Sequence, residues 1–198
     1  KILLVNPGYI CTGDFGCVPA TSVSLLKIGA YLKNNNYDVK LIDCNLIPKF
    51  SNRRQKAKSV FNDLPVYENR ACGSIEQYAN EKKTKPVFYF GKPTEWIEKS
   101  IYDSFDGEVP SEIWVGSYFT YYYETVWQVI KICKKIFPYT KIKLGGLYPS
   151  LCYEHSLLSG ADIIHQGEFC DADKYMPDYS LLQYQFDARA FIFHWAVR

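Results

Sequence analysis

The chain has 198 residues, 47% hydrophobic and 22% charged, which excludes a disordered chain and allows a core that needs no disulfide staples. Its 23 Lys and Arg against 21 Asp and Glu leave a net charge of +2, which argues against nucleic acid or an anionic membrane as the main partner. Aromatic residues reach 17%, an excess that points to an interface or a flat ligand.

Ile2-Leu3-Leu4-Val5 is a continuous apolar run that stops at Asn6-Pro7-Gly8. Such a run predicts a strand buried on both faces of a parallel sheet. A loop rich in Gly, Cys and Asp follows, to Pro19. Thr21 or Ser22 is expected to cap a helix whose apolar face is Leu25, Ile28, Gly29 and Leu32. Asn34-Asn35-Asn36 ends that helix, because Asn tolerates the left-handed conformation. Asp38 to Asp43 is the second strand, parallel to the first through a right-handed crossover.

Residues 46–110 break the rhythm, with basic clusters and prolines at 48, 65, 86 and 93. Helices are expected near 51–62 and 94–105. The stretch reads as an insertion that replaces the second crossover helix, a solvated elaboration with a lid or docking surface as the alternative.

The α/β rhythm resumes with a third strand, Glu112 to Ser117. Thr120 is expected to cap a helix with Val126, Val129, Ile130, Cys133, Ile136 and Phe137 on one face, stopped by Pro138. Lys141 to Leu144 is the fourth strand, ending in Gly145-Gly146. Pro149 suits a first helical turn, and a short helix runs to Gly160. Asp162-Ile163-Ile164 is the fifth strand, ending near Gln166-Gly167-Glu168. Together these predict a flavodoxin-like, Rossmann-type, doubly wound five-stranded parallel sheet of order 2-1-3-4-5. Residues 170–198 read as a tail, with Ala190 to Phe193 as a further strand.

Cys11, Cys17, Cys44, Cys72, Cys133, Cys152 and Cys170 are scattered, with no CxxC pair. They read as reduced thiols of a cytosolic protein. No apolar run approaches the ~20 residues of a membrane span, and no signal peptide opens the chain. A cytoplasmic location with no membrane partner is expected.

Ligands of such sheets bind beyond the carboxyl ends of the strands, where the strand order reverses. That point lies between the first and third strands. The residues at the strand ends are Asn6, Pro7 and Gly8, then Gly116, Ser117 and Tyr118, then Gly145 and Gly146, then Gly167 and Glu168. Each loop alone reads as an ordinary turn, but small and polar loops collected on one rim favour a ligand. The chain has no GxGxxG after the first strand, no Walker A pattern and no GxSxG elbow. His155, His165 and His194 are isolated and read as structural. No CxxxCxxC is present, so the usual radical SAM cluster motif is missing from this chain.

Several motifs resemble the N-terminal cobalamin-binding domain of cobalamin-dependent radical SAM enzymes. They are Lys1 to Pro7, the Leu25 to Leu32 helix, Tyr37 to Asp43 and Val115-Gly-Ser117. The sharpest are Lys143-Leu-Gly-Gly-Leu-Tyr-Pro-Ser150 and Ala161-Asp-Ile-Ile-His-Gln-Gly-Glu168. The resemblance covers residues 1–45 and 111–170. It divides the chain into a cobalamin-binding-like domain, 1–170, and a linker with the start of a barrel, 171–198. Asp173 to Leu182 is similar to the family's linker, and Phe191 to Arg198 looks like the barrel's first strand.

The resemblance implies cobalamin over the strand ends, with its nucleotide tail passing Gly145 and Gly146. Ser117 and Thr120 would bond the tail or the ring amides, and Tyr118, Phe119, Tyr121, Tyr122 and Tyr123 would wall the corrin or pack in the core. It implies a radical SAM barrel in the same polypeptide, holding a 4Fe-4S cluster and S-adenosylmethionine, and a parent methyltransferase acting on a small molecule or peptide. This chain alone is expected to be inactive. The loop Gly8 to Val18 has no His, so the resemblance implies base-off cobalamin without a histidine from that loop. The alternative expectation is a scaffold that binds no cofactor, docks on the barrel and shapes substrate access.

Overall fold

The structure, a computed structural model, describes residues 1–12, 22–45, 55–56 and 87–182. Its strands are β1 (Ile2–Asn6), β2 (Tyr9–Thr12), β3 (Val39–Asp43), β4 (Gln55–Lys56), β5 (Val87–Phe90), β6 (Glu112–Ser117), β7 (Lys141–Gly146) and β8 (Ile163–Ile164). Its helices are α1 (Val23–Asn34), α2 (Thr94–Asp103), α3 (Tyr123–Ile136), α4 (Leu147–Leu151) and α5 (Tyr153–Ser156).

The main sheet runs β3-β1-β6-β7-β8 with every pairing parallel. Counted along the chain, those five strands have the expected order 2-1-3-4-5, and the fold is flavodoxin-like. β1 is buried along its whole length, as its unbroken apolar run requires. Leu3, Val5, Ile113, Val115, Ile142 and Leu144 point to the face covered by α2 and α3. Ile2, Leu4, Val39 and Leu41 point to the face covered by α1. The period-2 alternation of a strand therefore feeds both layers of the core.

Local signals set the ends of α1. Ser22 Oγ accepts from the Leu25 amide at 3.3 Å, while Thr21 lies outside the described residues. Asn36 has φ 63°, the left-handed turn expected from the Asn run.

Several expectations are corrected. A crossover helix does lie between the second and third strands of the sheet: it is α2, which packs Ile97 and Ile101 into the core. The inserted residues precede this helix rather than replace it. Within 51–62, Gln55–Lys56 forms a strand where a helix was expected; the rest lies outside the described residues. β4 joins β5 and β2 in a three-stranded sheet of order β2-β5-β4, with antiparallel pairing. Local periodicity gives no sign of a pairing between segments so far apart.

Thr120 does not cap α3. It opens a single 3-10 turn, Thr120–Tyr122, and the helix starts at Tyr123 with no side-chain cap. The helix expected to run to Gly160 is broken at Cys152, whose backbone is non-helical (φ −125°, ψ 53°), into α4, α5 and a 3-10 turn. Gly160 ends the segment in the left-handed region, φ 82°. Cys44, Cys133 and Cys170 are free, but Cys152 is disulfide-bonded, so the thiols are not uniformly reduced. Residues 170–182 lie along α1, with Leu181 and Leu182 buried in its core layer. Ala190 to Phe193 lies outside the described residues. Among the described residues no helix is long and apolar enough to cross a membrane.

Candidate functional site

α1 follows β1 on one face of the sheet and α3 follows β6 on the other. The two chains part at the carboxyl ends of these neighbouring strands and leave a crevice there. It holds a cavity of about 60 Å³. At roughly 10–15 Å³ per water, that is room for a few waters or one small polar group. A corrin does not fit inside; only a group on its edge would enter.

The floor of the cavity is a hydrogen-bonded set from the ends of β1 and β3, which pair Asn6 with Asp43. Asp43 Oδ1 accepts from Asn6 Nδ2 at 2.9 Å and from the Asn45 amide at 2.9 Å. The second of these is an Asx turn, which draws Asn45 back under the rim. Asn45 Nδ2 then donates to the Pro7 carbonyl at 2.7 Å. A carbonyl can only accept, so this bond fixes which end of the Asn45 amide carries the nitrogen.

The wall is aromatic. Tyr9 stands 5.4 Å from Tyr122 between ring centroids, Phe119 is edge-on to Tyr122 at 5.4 Å, and Tyr118 is edge-on to Phe119 at 4.7 Å. All four line the cavity. Tyr9 is held by β2, which is separated from β1 by Pro7 and Gly8 alone. Ser117 Oγ donates to the Gly145 carbonyl at 2.9 Å and so ties β6 to β7 at the rim.

The expected site residues fall into two groups. Asn6, Pro7, Gly8, Ser117 and Tyr118 line the cavity, together with Gly116, Phe119 and Tyr122. Gly145, Gly146, Gly167 and Glu168 stand at the ends of β7 and β8 and do not line it. Thr120 is buried and does not line it either. Tyr123 is buried in the core rather than on the wall, and the Tyr121 side chain lies outside the described residues. Asn45, Tyr9 and Thr125 line the cavity without having been expected. The Asp-Cys-Asn sequence at the end of the second strand carried the signal for Asn45: an acidic strand end followed two residues later by an amide.

Gly146 and Gly145 play different parts. Gly146 has φ 105°, and a Cβ there would overlap the Ser117 carbonyl oxygen. A Cβ on Gly145 would meet only His165, at 3.8 Å. A methyl group therefore fits beside Gly145 in ordinary contact with His165, whose Nε2 is buried with no hydrogen-bond partner among the described residues.

His155 lies away from the rim and is structural. Its Nδ1 is 2.6 Å from the Tyr148 hydroxyl, which accepts from Trp127 Nε1 at 3.1 Å. Burial disfavours the charged imidazolium. Burial pushes the His155 pKa down to about 4 and the Tyr148 hydroxyl well up. Cys44, behind the floor, is fully buried; burial first, and Asp43 second, raise its thiol well above the usual range. It is an inert thiol, not a nucleophile. Among the described residues no group of three or more His, Cys, Asp or Glu could hold a metal ion.

The chain matches no family model, no curated protein and no solved structure.

Proposed function

We propose that this chain is the cobalamin-binding domain of a radical SAM enzyme, holding cobalamin base-off across the carboxyl ends of the strands. The observation that supports the reading is the aromatic crevice at the reversal of strand order, whose described lining residues are uncharged, with glycine rather than a side chain at position 145 nearby. A nucleotide tail would run past Gly145, which adds no side chain of its own, and along His165, the residue nearest to it. Tyr118, 55% exposed, offers a flat apolar surface to a macrocycle. Ser117 and Asn6 hold the rim in place through Gly145 and Asp43.

When bound, cobalamin supplies a cobalt centre that can carry a methyl group. The chain's own residues would position it, and those described as lining the crevice are uncharged. The 4Fe-4S cluster, S-adenosylmethionine and the substrate belong to the radical SAM barrel that the same reading places in the parent polypeptide, a methyltransferase.

The test is optical. The purified chain is incubated with hydroxocobalamin, desalted and scanned. Near-stoichiometric base-off cobalamin in the protein fraction, lost in Gly145→Leu, supports the reading. An empty protein fraction from the wild type overturns it for this chain. The second reading is a scaffold that docks on a barrel without a cofactor. It is favoured by Leu147, Leu151 and Leu157, which are 45%, 62% and 47% exposed. A scaffold would show an empty fraction, and Gly145→Leu would change only stability.

A further inference from the structure

Tyr148 and His155 are both buried, at 0% and 1% exposure. The Tyr148 hydroxyl lies 2.6 Å from His155 Nδ1 and accepts from Trp127 Nε1 at 3.1 Å. Burial favours the protonated phenol and the neutral imidazole. The hydrogen count then says which group donates. If the hydroxyl donates to Nδ1, one buried group, the Nε2 N–H, is left unmade among the described residues. If Nδ1 donates instead, the hydroxyl hydrogen and the Nε2 lone pair are both left unmade. The first arrangement leaves fewer, so Tyr148 holds its proton against a base.

A phenol so placed gives up an electron more readily than a phenol without a base. Its radical cation is a strong acid, and here the proton has a short path by which to leave. The imidazolium that forms is stabilised where it stands. The Trp127 ring stacks on His155 at 5.1 Å between centroids, 24° from parallel, within the range of a cation–π contact. The neighbouring rings are placed less well. The Tyr123 hydroxyl reaches Glu124 at 3.4 Å, beyond the usual range of an O–H···O bond, and the Trp127 N–H faces a hydroxyl, a weak base. Tyr123 nonetheless links the pair to the crevice. Its ring is 6.3 Å from Tyr148, and it follows Tyr122, which lines the cavity. Electron transfer between rings this close requires no access for solvent or ligand.

We infer that Tyr148 and His155 form a proton-coupled electron-donor pair, which takes up an oxidising equivalent that arrives at the crevice. Tyr148 gives one electron to a one-electron oxidant, a radical or a metal-centred species, and passes its hydroxyl proton to His155 Nδ1. The products are a neutral tyrosyl radical, an imidazolium and the oxidant reduced by one electron. Return of the electron and the proton restores the pair. The inference needs no bound cofactor and stands apart from the proposed function.

The test uses the whole chain, labelled with ¹⁵N-histidine, and a photogenerated ruthenium(III) polypyridyl complex as the oxidant. Samples are flashed, frozen after a delay in which radicals on exposed tyrosines couple and decay, and read by electron paramagnetic resonance. A long-lived tyrosyl signal is expected, coupled to an exchangeable proton and to ¹⁵N. Tyr148→Phe is expected to abolish it. His155→Gln, which fills similar space but cannot take up the proton, is expected to lose it as well. Tyr139→Phe, at a ring 98% exposed, should leave it unchanged. A long-lived signal that survives Tyr148→Phe overturns the inference, and so does the absence of such a signal in the wild type. If the variants do not fold, the ¹⁵N coupling in the wild type decides alone, and a tyrosyl signal without it overturns the pairing with His155. Retention of hydroxocobalamin is read separately and bears only on the proposed function.

Discussion

The carbonyl oxygen of Ser117 occupies the place where a side chain on Gly146 would begin. β6 and β7 pair Ser117 with Gly146 at the rim, and the Gly146 backbone turns there at φ 105°. The obstacle is backbone, which cannot rotate away as a side-chain tip can. Gly146→Ala is therefore expected to cost about 2–4 kcal/mol, from the strained φ and the overlap together. Gly145→Ala, with ordinary van der Waals contact to His165, should stay within about 1 kcal/mol of the wild type. Urea unfolding of the two variants measures the difference. Equal costs would mean that the turn at Gly146 is not what requires glycine.

His155 makes stability depend on pH with a definite sign. Burial lowers its pKa from 6.5 to about 4 in the folded chain. The unfolded chain therefore binds the proton more tightly, and folding is penalised as pH falls. The contribution is complete above about pH 6.5 and is lost progressively toward pH 4, about 3 kcal/mol in all. Urea midpoints between pH 7 and 4.5 should fall more steeply for the wild type than for His155→Gln. Parallel curves would show that His155 is not the titrating group.

Leu181 ties the stretch after β8 back to α1. A Cβ on Gly29 would overlap its Cδ1, so the missing side chain lets Leu181 lie against the helix. Leu181→Ala should cost about 2–4 kcal/mol as a buried truncation. The nearby Lys33–Asp178 pair, 2.8 Å but partly exposed, should be worth at most about 1 kcal/mol, so Asp178→Asn should be mild. Chemical denaturation of both variants checks the ranking. A larger loss for Asp178→Asn would reverse it.

The five parallel strands were readable because short apolar or alternating stretches recur between helical segments, and their order followed from that alternation. Ser22 and Asn36 announced the ends of α1 by residue type alone. The β2–β5 pair was not readable, since Tyr9–Thr12 and Val87–Phe90 meet only through tertiary contacts. At the site, the residues contributed by β1 and β6 were legible from the reversal rule. Asn45 was not, because the reversal rule points to the ends of β1 and β6, and Asn45 follows β3 and is drawn in only by its turn onto Asp43. Gly145 and Gly146 looked alike as letters. Only the backbone shows that one glycine answers to a turn and the other leaves space.

The small β2-β5-β4 sheet couples the cavity to a distant part of the chain. Tyr9, a wall residue, pairs with Phe90, and Ile10 pairs with Tyr89. The Tyr89 hydroxyl in turn bonds the Lys92 carbonyl at 2.8 Å. A change in residues 87–92 can therefore move the wall while every residue lining the cavity stays as it is. The shape of the cavity can be retuned from the insertion, leaving the parallel sheet and the hydrogen-bonded floor untouched.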